Sequence, residues 1–382
     1  MDFDLTPEQR SVWEEIRSFV DEVLAPAAAE NARLHRFPKE IVDRLAERGF
    51  LGGPIPEEWG GRGYDYISHA LVAEEIGRGC SSMRSTFSAH LSLCALPLYT
   101  WGTQDLKGRY LRKMARGEWL GCMGLTEPDA GSDVAGMLSS ADLRGVHYLL
   151  NGRKMWISNG GVADLALIFA KTDRTQDARG ITAFVVEMDW EGCSAEEIHG
   201  KLGLWSSNTA ELIFDGVKVP VENVLGEIGG GFKVAMSSLD FGRYTVAAGC
   251  VGLASACLDA VRDYVRDGGA PLLRARPEIR ETIGEMARDI DAGRLLVLRA
   301  GHLKDRRERN SRETSIAKYF CSELANRAAT QAMQIIGVEA NSERYPVERY
   351  LRDAKVNTLF EGTSQIQKLI VGAIELGIRA IS

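Results

Sequence analysis

The stretch LFEGTSQIQ, residues 359–367, sets one carboxylate, Glu361, between an aromatic residue and a glycine. Two hydroxyls, Thr363 and Ser364, and two amides, Gln365 and Gln367, follow it. No neighbouring residue in the stretch offers a cation to pair with the acid. Such a carboxylate is either a loop acid in water or a base held in a dry cleft. The rest of the chain has to decide between the two.

The chain has 382 residues, of which 45% are hydrophobic and 26% charged, the balance of an ordinary globular protein. That length suggests two or three structural units sharing large cores. A net charge of -7 gives no reason to expect nucleic acid. No apolar run reaches the roughly 20 residues of a membrane span, so no membrane is expected. The start, MDFDLTPEQR, reads as a helix beginning rather than a signal peptide. Seven cysteines without a CxxC pair suggest reduced thiols and a cytoplasmic setting. Six scattered histidines without HxxxH or HxH spacing predict no metal site.

Three textures follow one another. Residues 1–120 read as helical: Thr6 can cap, Pro7 suits a first turn, and Gln9 stands at the capping-box position. Val12, Ile16, Phe19 and Val23 then recur at helical spacing, and a second helix runs from about Lys39 to Gly49. Residues 121–232 carry β-type runs, DLALIFAKTD (164–173), ITAFVVEMD (181–189) and ELIFDGVKVP (211–220). No helical period separates them, which predicts an antiparallel, barrel-like sheet. Residues 233–382 return to helix, with Val251, Ala254, Leu258, Val261 and Val265 forming one stripe. The run LKDRRERNSRE (303–313) reads as a solvated helix–helix connection.

Chemistry gathers in a few segments. MGLTEPDAGSDVAGM (123–137) packs Thr126, Ser132 and Asp133 among small residues, which suits backbone amides and hydroxyls approaching a polar planar ligand. RKMWISNGG (153–161) sets Trp156 near Ser158, an aromatic wall with a hydroxyl beside it; a core tryptophan is the plainer reading. LTEPDAGSD, KMWISNGG, FGRYTVAAG (241–249), YPVERYLRDAKV (345–356) and LFEGTSQIQ stand in the order and spacing of the acyl-CoA dehydrogenase family. The chain resembles that family over essentially its whole length.

The resemblance implies a mainly α fold with a central β domain: an N-terminal helical domain, a β-barrel domain and a C-terminal four-helix bundle. It implies FAD, a homo-oligomer (tetramer or dimer), and electron-transferring flavoprotein as acceptor. Glu361 falls where the family carries its catalytic base. An α C–H of a thioester is a weak acid, so its base must work in a water-poor cleft where burial raises a carboxylate's pKa. The thioester carbonyl must be polarised as charge develops, in the family partly by the base's own backbone N–H. In the family the β-hydride passes to the flavin. Some relatives set the base just before the arginine that here is Arg243; Gly242 leaves no competing carboxylate there.

By the same resemblance Thr126, Trp156 and Ser158 flank the flavin ring, Thr363 and Gln365 hold the FAD tail, and Gln334 reaches a neighbouring subunit's adenosine end. Ser132, Arg243 and Gly362 belong to the acyl-thioester channel. In CSSMRSTFSAH (80–90), Arg84 and Ser88 share a helix face. The pair resembles the Arg and Ser that hold the distal carboxylate in glutaryl-CoA dehydrogenases; the ending GAIELGIRAIS resembles that group too. The segment is also similar to dehydrogenases of polyketide extender units, which oxidise a hydroxyacyl group on an acyl carrier protein. A surface or interface arginine is the plainer reading.

Two segments depart from the family. In YVRDGGAPLLRARP (264–277), Gly268 and Pro271 replace an expected Arg and Phe, and Arg266 or Arg274 could compensate. A Gly-Gly-x-Gly turn reads GVEA (337–340). These departures leave open a non-catalytic paralogue poor in flavin.

Overall fold

A computed structural model describes residues 4–267 and 271–378. Helix α1 (Pro7–Phe19) starts with the expected capping box. Thr6 Oγ1 accepts from the Gln9 N–H at 3.2 Å, and Gln9 Oε1 accepts from the Thr6 N–H at 3.0 Å. Such a cap is worth about 1 kcal/mol. Val12, Ile16 and Phe19 are buried, as their spacing requires. Helix α2 (Tyr66–Gly79) lies against α1, and the short helix α3 (Ser81–Phe87) runs on into a wider π-helical segment, Ser88–Ala95. Wide turns of this kind are frequent at functional sites.

The central sheet has eight strands: β1 (Gly121–Gly124), β2 (Ser140–Arg144), β3 (His147–Ser158), β4 (Leu165–Lys171), β5 (Ile181–Glu187), β6 (Cys193–Glu197), β7 (Thr209–Pro220) and β8 (Val224–Leu225). Their order is β6-β7-β3-β2-β4-β5-β8, with β1 beside β4. Most pairs are antiparallel, as expected, but β4 pairs in parallel with both β1 and β2. The sheet curls over its own core. Ala166, Ile168, Phe184 and Val186 point inward against Tyr148, Leu150, Phe214 and Val217. The alternate residues Leu165, Leu167, Phe169 and Val185 join the core shared with the helices. Burial on both faces explains why β4 and β5 read as unbroken apolar runs.

The C-terminal layer holds α4 (Gly231–Asp267), α5 (Pro277–Asp305), α6 (Ser311–Ile336), α7 (Val347–Asn357) and α8 (Ser364–Leu376). Among the described residues α4 alone could cross a membrane by length and composition, with a mean hydropathy of 1.5 over its apolar stretch. That stretch is 78% buried inside the protein, so its apolarity serves the bundle. The charged run 303–313 is loop only in its middle. Lys304, at the end of α5, is 7% exposed, its ammonium 4.9 Å from the Phe241 ring centre. The expectation of a wholly solvated connection therefore fails there, because the aromatic rings of α2 and α4 cover the lysine stem.

Glycines let α2 and α4 touch backbone to backbone. A Cβ on Gly77 would stand 2.4 Å from the Gly249 carbonyl oxygen, and one on Gly252 would stand 1.9 Å from that of Glu74. This close seam draws α3 over α4 and sets Arg84 against Gly249. Of the departures noted in the sequence, Gly268 lies outside the described residues. Pro271 opens a short helix, Pro271–Ala275, whose Arg274 Nε donates to the Val265 carbonyl at 3.0 Å. GVEA forms a 3₁₀ turn after α6. The last four residues of GAIELGIRAIS also lie outside the described residues.

Candidate active site

The segment between α7 and α8 turns through two successive left-handed residues, Glu361 (φ 54°) and Gly362 (φ 87°). Such a φ is uncommon for a residue with a side chain and has to be held by its surroundings. Three donors hold it. Gln367 Nε2 donates to the carbonyls of Glu361 (3.0 Å) and Gly362 (3.3 Å). Arg243 Nε donates to the Glu361 carbonyl at 3.2 Å, and Lys318 Nζ to the Gly362 carbonyl at 2.7 Å. Glycine suits 362 because φ 87° is a conformation that side chains rarely adopt, and a Cβ would also push Gln367 Nε2, 2.3 Å away, off the carbonyls it holds. Thr363 Oγ1 accepts from the Ile366 N–H and caps α8, which leaves its O–H for a ligand.

Glu361 retains partial exposure as a residue, but its Oε2 is shut off from solvent and meets no donor. It lies in the gap over Gly242, where a Cβ would come within 2.0 Å of it. Burial raises the carboxyl pKa to about 7, against the pull of Arg84, Lys318 and Arg243. The backbone N–H of Glu361 donates to no group among the described residues. The acid of the opening segment is thus a carboxylate kept from water, beside an unused donor.

Arg84 is 1% exposed, so it is no surface residue. Its Nη2 donates to Asn357 Oδ1 at 2.7 Å and its Nη1 reaches Ser88 Oγ at 3.4 Å. Ser88 Oγ in turn donates to Thr245 Oγ1 at 2.9 Å. The guanidinium carbon stands 5.4 Å from the centre of the Phe360 ring. All these partners are neutral, and burial lowers the Arg84 pKa.

The sheet supplies the other wall. Trp156 sits on a register shift of β3 with φ 63°, and it is 57% exposed, so it is not a core residue. Two positions on, Ser158 Oγ lies 3.3 Å from Ser85 Oγ of α3. Asn159 Nδ2 donates to the Thr86 carbonyl at 3.0 Å. The end of β3 is therefore docked on the helix that carries Arg84. Thr126 accepts the Met155 N–H at its carbonyl, 2.8 Å away, and its hydroxyl forms no hydrogen bond among the described residues. Ser132 is exposed on the same loop; Gln334 near the end of α6 and Gln365 in the first turn of α8 are exposed as well.

Several residues went unread in the sequence. The Glu127 carboxylate accepts from Lys154 Nζ (2.7 Å) and from the N–H groups of Leu138 (2.6 Å) and Ser139 (3.0 Å), which staples the loop holding Thr126 and Ser132. Lys318, Gln367 and Asn357 complete the surroundings of the Glu361 segment. Arg243, expected along the acyl channel, grips the Glu361 carbonyl and pairs with Asp240 at 3.1 Å. Glu127 and Gln367 stood inside segments already singled out. Nothing in the helical pattern around Lys318 distinguishes it from a surface lysine.

Comparison with known proteins settles the lineage. The acyl-CoA dehydrogenase N-terminal, middle and C-terminal domains match residues 6–118, 122–217 and 229–376. The chain belongs to the acyl-CoA dehydrogenase family. A short-chain-specific acyl-CoA dehydrogenase of Clostridium acetobutylicum is 39% identical over 374 residues, covering 97% of this chain and 98% of that protein. A glutaryl-CoA dehydrogenase of Desulfococcus multivorans is 40% identical over 387 residues, 99% of each. The solved butyryl-CoA dehydrogenase of Megasphaera elsdenii superposes with a TM-score of 0.96 at 38% identity, over 98% of this chain and 100% of that one. The helical, sheet and bundle layers are those of acyl-CoA dehydrogenases, and family members use FAD.

Proposed function

We propose that the protein is an FAD-dependent dehydrogenase of a short acyl thioester, with Glu361 as the base that removes the α proton. The shielded, unpartnered Oε2 of Glu361, presented from a clamped left-handed kink, carries this reading. A carboxylate with a pKa of about 7 is matched to proton abstraction near neutral pH. The free N–H of Glu361 would donate to the thioester carbonyl as charge develops there.

The residues present fit FAD. An exposed tryptophan on a strained bulge, with the unengaged hydroxyl of Thr126 and Ser158 nearby, suits a planar polar ring system. Thr363 and Gln365 would hold its tail, and Gln334 would serve a neighbouring subunit in an oligomer. When bound, FAD supplies the acceptor for the β-hydride. The chain's own residues orient the thioester, shut out water and take the α proton at Glu361 Oε2. Electron-transferring flavoprotein is the partner this chemistry calls for.

Charge narrows the substrate. Arg84 and Lys318 have no carboxylate partner among the described residues, and Glu361 offers one negative charge between them. A substrate bringing a further negative end, with Ser88 as a second donor, balances that site. We therefore read the acyl chain as short and dicarboxylic.

The test is an anaerobic visible spectrum with glutaryl-CoA and with butyryl-CoA. Wild-type flavin should bleach with glutaryl-CoA, and Glu361→Gln should keep its flavin yet stay oxidised. Measured above the Glu361 midpoint of each variant, Arg84→Met should lose about 10- to 100-fold in the rate with glutaryl-CoA, the worth of a charged hydrogen bond, and distinctly less with butyryl-CoA. Unimpaired bleaching in Glu361→Gln would remove the base assignment. Bleaching only by a carrier-protein thioester would move the substrate to that carrier.

A further inference from the structure

Lys318 stands on α6, fully buried, with one hydrogen bond among the described residues, to the Gly362 carbonyl at 2.7 Å. The groups facing its ammonium are Arg84 from α3, Arg243 and Cys250 from α4, and Glu361 from the kink. Only Glu361 among them is an acid of the carboxylate kind. Holding one carbonyl requires a donor but not a charge; a glutamine amide would do it at less desolvation cost. Gln367 already does so for the same oxygen. A lysine ammonium is nonetheless kept there, although burial brings its pKa down to about 8.

We propose that Lys318 is a positioning residue for the reaction: its ammonium fixes the kink that presents Glu361 and joins Arg84 in the buried positive charge that keeps the carboxylate ionised. The proposal rests on the reading of Glu361 as base. Two functions are joined in one side chain. The hydrogen bond at Gly362 sets where Oε2 points, because Glu361 and Gly362 share the left-handed turn. The charge opposes the burial that would otherwise leave the carboxyl protonated and unable to accept a proton. Arg243 cannot replace it fully, since Asp240 already takes up part of its charge.

The experiment follows Glu361 directly, in flavin-loaded protein without substrate. The infrared carboxylic-acid band that vanishes in Glu361→Gln is titrated in wild type, Lys318→Met, Lys318→Gln and Lys318→Arg. The midpoint should rise by about one pH unit in the Met and Gln variants and stay near wild type in Arg. Single-turnover bleaching, measured above each midpoint, should be about 10- to 100-fold slower in Met, with partial recovery in Gln, which restores the donor without the charge. If Lys318→Met does not fold, Lys318→Gln alone decides the charge, because its midpoint must still move. Unchanged midpoints and rates in Met and Gln would overturn the proposal while leaving the base reading intact. A band insensitive to Glu361→Gln, with full activity in that variant, would remove the base reading instead.

Discussion

Gly242→Ala isolates the base geometry from everything else. Gly242 lies within helix α4, where alanine is favoured over glycine by about 1 kcal/mol. The added Cβ would stand 2.0 Å from Glu361 Oε2 and 2.6 Å from Leu93 Cδ2, and real Cβ contacts essentially never fall under 3.0 Å. Both clashing atoms are the far ends of flexible side chains, so the fold can yield at small cost. The carboxylate must retreat by about 1 Å, and under the proposed function it is the reacting atom that retreats. A misplacement of that size costs about 100-fold in rate, or ~2.7 kcal/mol of transition-state stabilisation. The variant should therefore melt within a few degrees of wild type and retain flavin, while stopped-flow bleaching by glutaryl-CoA slows about 100-fold. Bleaching at the wild-type rate would show that the carboxylate does not work from its place over Gly242. A collapse in melting temperature would show that the gap is structural instead.

Two further outcomes follow from the buried charges. The Glu361 carboxyl, raised from 4.5 to about 7, keeps its proton in the folded chain while the unfolded chain has lost it. Stability is therefore lost as pH rises from about 4.5 to about 7 and is level above, a cost of up to ~3 kcal/mol at pH 8. Glu361→Gln should be stabilised relative to wild type at pH 8 and not at pH 4, in melts at constant FAD; a pH-independent difference would contradict the raised pKa. Lys154→Met leaves Glu127 buried without its cation, so it should cost about 3–5 kcal/mol and speed FAD loss by freeing the loop of Thr126. Adding Glu127→Gln should recover part of the stability, and no recovery would mean the loss is one of packing alone.

Local chemistry made much of this protein readable in one dimension. The capping box at Thr6, the apolar stripe of α4 and the runs that become β4 and β5 depend on neighbours a few residues apart, and the sequence carries those directly. The segment around Glu361 was legible for a related reason: an unpaired acid beside glycine, in register with four other segments, marks the acyl-CoA dehydrogenase family. Tertiary structure alone decided the surroundings of that acid. Lys318, Arg243 and Gln367 meet two adjacent carbonyls from three helices, and no spacing along the chain encodes that convergence. The parallel pairings of β4 likewise join strands whose partners are set by how the sheet curls over its core. Burial is the quantity missing from the sequence: it raises the Glu361 carboxyl pKa to about 7, encloses Arg84 among neutral hydrogen-bond partners, and passes over Trp156, which stays 57% exposed.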